Sequence, residues 1–130
     1  MQMAMCLNFR VATHIRILRG GARNGRAISD DLLLHVGPED FASLKKALRV
    51  VGIPIPFRCM CNGNYAIEFW REDRLLTTVA YHHHYSLRHP LFPGDARLWN
   101  ASGLANWLAE RGVTDLIEDL EQRKQLERRR

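Results

Sequence analysis

The chain of 130 residues contains no uninterrupted run of about 18 apolar residues, the length that a membrane-spanning helix needs. Its N-terminal stretch has no cation ahead of its apolar residues, which is not the pattern of a secretory signal peptide. We therefore expect a cytoplasmic protein that has no membrane partner.

Cysteine is scarce, with three residues at positions 6, 59 and 61. An odd number of cysteines without an export signal favours a reducing compartment, in which the thiols are free or bound to a metal. A disulfide between Cys59 and Cys61 is disfavoured, because two positions of one strand do not offer relaxed disulfide geometry.

Acidic residues are missing from residues 1–26, which carry five arginines, whereas residues 123–130 carry five cations against one acid. Because the net charge of the whole chain is +5, the middle of the chain is mildly acidic. A dedicated nucleic-acid-binding protein more often carries its positive charge on a folded face.

The N-terminal hairpin still offers one candidate surface for nucleic acid or another anionic partner, formed by Arg10, Arg16, Arg19 and Arg23. The pattern places no aromatic residue on that face to stack bases. The alternative is a solvated edge strand whose charges prevent aggregation.

The proportions of apolar residues, 46%, and charged residues, 25%, are those of an ordinary globular domain. We expect one α+β domain over residues 1–130, with residues 123–130 as the basic end of the last helix or a tail. Alternation of apolar and polar residues predicts a strand over residues 7–18, and Leu32–Val36 is a plausible return strand. A helix should begin at Pro38 and end at Gly52.

A three-stranded meander is predicted between Pro56 and His89, with turns at Asn62–Asn64 and Glu72–Arg74. Placing Arg71 opposite Leu75 assigns one core face, which includes Tyr65, Ile67, Phe69, Val79, Tyr81 and His83, and an opposite face, which includes Ala66, Glu68, Thr78, Ala80, His82 and His84. Two final helices are capped by Ser102 and Thr114. The predicted order is β-β-α-β-β-β-α-α, an antiparallel sheet with helices packed on one face.

A metal site is one hypothesis for this meander. Cys59 and Cys61 share a strand face with His83, and zinc takes four nitrogen or sulfur ligands in a tetrahedron. The spacing Cys-x-Cys is shorter than that of the common zinc knuckle. The alternative is that both cysteines are small apolar residues of the core.

A catalytic cluster is a second hypothesis, built from His82, His83, Arg88 and Asp95. Histidine moves protons near neutral pH, and the guanidinium of Arg88 matches a phosphate or carboxylate. A small hydrolase or nuclease-like enzyme needs such a set. The alternative is a strand end with solvated imidazoles and an Arg88–Asp95 ion pair that fixes the following loop.

The motifs Cys-Met-Cys-x-Gly at residues 59–63, His-His at 82–83 and Ser-Leu-Arg at 86–88 are followed by Gly-Asp-Ala-x-Leu and Trp-Leu-x-x-Arg-Gly-Val. Together, over about residues 38–113, they resemble a set of small uncharacterised bacterial proteins. The resemblance implies a bacterial source and carries no activity, and His84 departs from it where a small residue is expected. From the sequence we therefore expect a binding or interaction module, with another protein as the partner, and a small enzyme as the alternative.

Overall fold

A computed structural model describes residues 1–51, 61–83 and 85–129. In chain order its elements are α1 (Gln2–Val11), β1 (His14–Arg19), β2 (Ala22–Arg23), β3 (Arg26–Ala27), β4 (Leu32–Val36), α2 (Phe41–Ala47), β5 (Tyr65–Arg71), β6 (Arg74–His82), β7 (Ser86–Arg88), β8 (Ala96–Arg97), α3 (Ala101–Ala109) and α4 (Asp115–Arg128). A 3-10 turn, Pro38–Asp40, leads into α2. Within the described ranges no helix is long and apolar enough to cross a membrane.

Six strands form one antiparallel sheet in the order β4-β1-β5-β6-β7-β8, and β2 and β3 form a separate hairpin. Apolar side chains of all four helices join those of one sheet face in a single core, because burying apolar area drives folding. Phe9 of α1, for example, packs edge-to-face on Phe69 of β5, with ring centroids 5.0 Å apart. The predicted α+β class with an antiparallel sheet is confirmed.

The register of β5 and β6 follows the prediction over most of its length. Tyr65 lies opposite Tyr81 and Phe69 opposite Thr77, as parity requires. A bulge between Phe69 and Trp70 then shifts the register by one residue, so Arg71 pairs with Arg74 rather than with Leu75. The bulge lets the chain reverse through a tight turn in which Glu72 has φ of +53°.

The first half of the predicted N-terminal strand is wrong, because residues 2–11 form α1 and the strand begins only at His14. Met5 and Phe9, four residues apart, both lie in the core and define a helical stripe. The alternation that suggested a strand includes Val11, which is exposed. A short apolar pattern in these residues fits both the period of a strand and the period of a helix, and tertiary packing decides between the two.

Part of the second face of the sheet is also covered, although the sequence predicted packed elements on one face only. The β2–β3 hairpin folds back over β5 and β6. Glu68 and Thr78 are buried there, and Glu68 accepts a hydrogen bond of 3.1 Å from the indole N–H of Trp70. The short hairpin therefore makes a third layer at one end of the sheet.

The C-terminal helices differ from the prediction at one cap. Asn100, not Ser102, caps α3, and its side-chain oxygen accepts from the N–H of Gly103 at 3.2 Å. Gly112 follows α3 with φ of +89°, and Thr114 precedes α4 as expected. Helix α4 runs to Arg128, so the basic segment continues the helix.

An ionic hydrogen-bond cluster fixes the start of α4 to the sheet. The Asp115 carboxylate accepts from the hydroxyl of Tyr65 at 2.9 Å and from the guanidinium of Arg19 at 2.7 Å. Burial alone would raise the pKa of Asp115, but the hydrogen bonds from Tyr65 and Arg19 outweigh burial and lower the pKa below its ordinary value. Burial and the hydrogen bond to Asp115 raise the pKa of Tyr65.

The lowered pKa of Asp115 predicts a contribution to the free energy of unfolding that is present above the unfolded-state pKa and is lost as pH falls through the folded-state pKa. We expect Asp115→Asn to weaken the protein at pH 7 and to flatten its loss of stability below about pH 4. The effect should stay below about 1 kcal/mol, because the carboxylate is 43% exposed. Urea unfolding at a series of pH values measures it. The control is Glu118→Gln on the same helix, and equal pH profiles for the two variants would contradict the prediction.

Candidate metal centre

The segment that follows Cys61 is held on both of its sides by backbone hydrogen bonds. Two N–H groups from residues 20–22 donate to the carbonyls of Asn62 and Asn64 at 2.8 and 2.7 Å. On the other side the N–H of Asn64 donates to the carbonyl of Tyr81 at 2.7 Å. These residues therefore extend the backbone hydrogen bonding of β5 beyond Tyr65 on both sides, and the turn predicted at Asn62–Asn64 stays a prediction, since the strand expected before it lies outside the described residues. The result is a fixed position for Cys61 at the end of the sheet.

Two glycines permit this close approach of three backbone segments. Gly21 has φ of +78°, and a Cβ atom there would lie 2.0 Å from the carbonyl oxygen of Asn62. Gly63 has φ of +101°, and its Cβ would lie 2.7 Å from the carbonyl oxygen of Tyr81. Both contacts are with backbone atoms, which cannot move aside as a flexible side chain can.

Gly21→Ala should therefore destabilise the protein more than Gly25→Ala. Gly25 has φ of +75° but no atom within 4 Å of its missing Cβ, so its substitution tests the backbone conformation alone. We expect a cost of about 1–2 kcal/mol at Gly25 and at least about 2 kcal/mol more at Gly21. Urea unfolding of both variants gives the difference. Equal losses would show that residues 20–22 and Asn62 do not pack as closely as described.

Two histidines meet Cys61 from the end of β6. His82 is the last residue of β6 and is fully buried, with an exposed fraction of 0%. His83 lies in the turn that follows, with φ of +50°, and is exposed. Strand parity predicted that His83 alone would face Cys61. In the structure both histidines reach the Cys61 sulfur, His82 from the end of β6 and His83 from the turn that follows.

The Cys61 sulfur lies 3.1 Å from Nδ1 of His82 and 3.2 Å from Nε2 of His83. Within the described ranges, these three residues form the one group of His, Cys, Asp or Glu residues whose ligand atoms all lie within 4.8 Å of one another. Thiolate sulfur and imidazole nitrogen are the ligands that zinc prefers in proteins. The three ligand atoms lie close enough together to hold one metal ion.

The redox state of Cys61 controls this chemistry. Its sulfur is disulfide-bonded in the structure, whereas Cys6 in α1 is a free thiol. A metal requires the thiolate, so the disulfide and metal-bound forms of Cys61 exclude each other. Cys59, which belongs to the metal set predicted from the sequence, and His84 both lie outside the described residues.

Arg88 and Asp95 form an ion pair beside the backbone of Cys61. The guanidinium donates through Nε and Nη2 to the two Asp95 oxygens at 2.8 and 3.1 Å, and through Nη1 to the carbonyl oxygen of Cys61 at 3.1 Å. The side chains are only 13% and 8% exposed, so the pair lies in a region of low dielectric. The ion pair proposed for the loop is present, and it also holds the backbone of Cys61.

Asp95→Ala removes the carboxylate from a nearly buried guanidinium, and we expect a loss of about 3–5 kcal/mol in the free energy of unfolding. Asp31→Ala is the matched control, because Asp31 pairs with Arg19 at 3.1 Å while both side chains are about half exposed. That variant should lose less than about 1 kcal/mol. Chemical denaturation compares the two, and similar small losses would show that the Arg88–Asp95 pair is not buried as described.

A cavity of about 460 Å³ adjoins this site. It lies between the β2–β3 hairpin and the sheet, and its lining includes Cys61, Asn62, Thr78, Arg23 and Arg88. Sequence reasoning missed it, because the hairpin residues that close it give no signal of where they fold back. The site therefore has a space large enough for a small molecule beside the metal ligands.

The four arginines of the predicted anion-binding surface have separate surroundings. Arg10 lies in α1, and Arg16 of β1 is 3.8 Å from the carboxylate of Glu68. Arg19 is paired with Asp31 and Asp115, and Arg23 of the hairpin donates to Asn62 at 3.1 Å. An aromatic cluster that the sequence did not reveal lies beside Arg16, where His14 stacks between His35 and Trp70. Cross-strand neighbours such as these need the sheet order, which spacing alone does not give.

Comparison of the chain with protein-family models, with curated proteins and with solved structures finds no match. The resemblance to small bacterial proteins stays a prediction, and the site itself is what points to a function.

Proposed function

We propose that the protein, with Cys61 reduced, binds one transition-metal ion through the Cys61 thiolate, Nδ1 of His82 and Nε2 of His83. The observation that carries the proposal is the convergence of three soft or borderline ligand atoms within 4.8 Å. Zinc fits this donor set best, since magnesium and calcium prefer carboxylate and carbonyl oxygens.

The distances support this assignment. Zinc bonds of about 2.0–2.3 Å in a tetrahedron would hold a sulfur and a nitrogen ligand about 3.6 Å apart. The observed separations of 3.1 and 3.2 Å are shorter, so binding requires the ligand atoms to move apart by a few tenths of an ångström. Rotation of the exposed His83 side chain supplies that movement. The Cys61–His82 separation lengthens through rotation of the reduced Cys61 side chain, while the Cys61 backbone keeps the position that the sheet and Arg88 give it.

Three ligands leave a fourth tetrahedral position. Cys59 remains the protein ligand proposed from the sequence for that position, and a four-ligand site would be structural, tying the segment after Cys61 to β6. Water in the fourth position would instead make an open site of the catalytic kind. The adjoining cavity of about 460 Å³ supports an open site of this kind.

If the protein is an enzyme, a metal at this site changes the roles of the residues that were predicted to be catalytic. His82 and His83 act as metal ligands rather than as proton carriers, and Arg88 with Asp95 are positioning residues behind Cys61. A metal held by Cys61, His82 and His83 would then supply Lewis-acid chemistry for a hydrolase or nuclease-like reaction, with the cavity as the substrate space. This alternative depends on the fourth position being open.

Titration of reduced protein with Zn²⁺ against a chromophoric chelator tests the proposal. We expect one zinc per chain, and we expect His83→Ala to lower the affinity at least about tenfold. Because His83 is exposed, its removal should leave the fold intact, as circular dichroism can verify. His35→Ala is the matched control, since His35 is an exposed histidine on β4.

Oxidised protein provides the second comparison. A disulfide at Cys61 removes the thiolate, so the affinity for zinc should fall when the reductant is omitted and return when it is added. This ligand set would be ruled out if the reduced wild-type protein took up no zinc. It would also be ruled out if the His83→Ala variant bound zinc as tightly as the wild type.

A further inference from the structure

Trp99, between β8 and α3, exposes 66% of its surface, although the backbone around it is tightly held. The backbone N–H of Trp99 donates to the carbonyl of Arg49 at 2.8 Å, and the backbone N–H of Val51 donates to the carbonyl of Arg97 at 2.8 Å. A β-bridge joins Val50 to Leu98 between these bonds. An exposed indole on a fixed backbone is a preorganised contact group of the kind that dominates protein interfaces.

A groove of about 350 Å³ begins beside Trp99 and runs between α2 and α3. Its lining includes Ala47 and Gly103, and one wall is Trp107, whose indole N–H donates to the hydroxyl of Ser43 at 2.9 Å. The guanidinium of Arg111 stacks 3.9 Å from the centre of the Trp107 ring. The groove therefore has an apolar floor between α2 and α3.

The rim of the groove is positively charged. Lys46 and Arg49, the two cations that line it on the α2 side, form no ion pair with any residue in the described part of the chain. Arg49 lies 4.9 Å from the centre of the Trp99 ring, so its charge sits directly beside the aromatic surface. Glu110, the acid that lines the groove, is 3.6 Å from Arg111.

We propose that this groove binds an acidic segment of another protein, with one apolar or aromatic side chain inserted beside Trp99. Complementary charge supports an acidic partner, and the apolar floor supports an inserted side chain. The two cations lie at one side of the groove rather than along a track, which suits a short acidic segment better than a nucleic-acid backbone. The inference is independent of the metal proposal, since the two sites share no residue.

A random-sequence peptide library displayed on phage, selected on immobilised wild-type protein, tests the inference. We expect the selected peptides to be enriched in Asp and Glu around one aromatic or large apolar residue. A synthetic, fluorescently labelled copy of a selected peptide should bind in an anisotropy assay, more weakly as salt is raised. Trp99→Ala and Lys46→Glu should each lower its affinity at least about tenfold.

Matched variants separate the groove from the rest of the surface. Leu91→Ala removes an apolar side chain that is 76% exposed and does not line the groove, and Lys124→Glu reverses a charge on α4. Both should bind the peptide as the wild type does. Trp99 and Lys46 are exposed, so their variants should keep the circular dichroism spectrum of the wild type.

Four results of the peptide experiments would overturn the inference. They are the absence of any enriched peptide, enrichment without acidic residues, equal binding by Trp99→Ala, and tighter binding of a single-stranded oligonucleotide than of the selected peptide. A dimer in sedimentation that Trp99→Ala dissociates would also overturn it, because the groove would then be occupied by a second copy of the chain.

Discussion

The arrangement of the candidate metal centre depends on the close approach of three backbone segments at one end of the sheet. The residues after Cys61 lie between residues 20–22 and the last residues of β6, and they are hydrogen-bonded to both. Only glycine fits at positions 21 and 63, because a Cβ atom would meet a backbone carbonyl. This contact brings a cysteine from before β5 to two histidines that follow it by about twenty positions. Without it, the three ligand atoms would have no common position.

The surroundings of the site stabilise the ligands without supplying further ones from the described residues. Arg88 and Asp95 bury opposite charges against each other, and Arg88 also donates to the carbonyl of Cys61. This is the role of the groups behind metal ligands, which fix orientation and tune the metal. Because the thiolate and the disulfide of Cys61 exclude each other, the proposed metal binding would depend on the redox conditions around the protein.

Much of the fold follows from local patterns. Alternation placed β5 and β6 in the correct register from Tyr65 to Phe69, since one buried face specifies pairing strongly. The strand predicted over residues 7–11 is wrong because their apolar spacing fits a strand and a helix, and the packing of Phe9 on Phe41 and Phe69 favours the helix. The sequence drew attention to Cys61 and the histidines, but parity could not place His82 at the site, since nothing local marks the end of β6. The sequence also did not predict the groove beside Trp99, because the groove forms only where α2 packs on α3.

The central claim is that Cys61 and the two histidines form one metal site, and cobalt is its most direct probe. Co²⁺ replaces Zn²⁺ in such sites, and its visible absorption reports the ligands and the coordination geometry. Reduced protein loaded with Co²⁺ should show intense tetrahedral ligand-field bands and a sulfur-to-cobalt charge-transfer band. The charge-transfer band should be lost in Cys61→Ser. A pale, octahedral spectrum without sulfur charge transfer in the wild type would contradict the account.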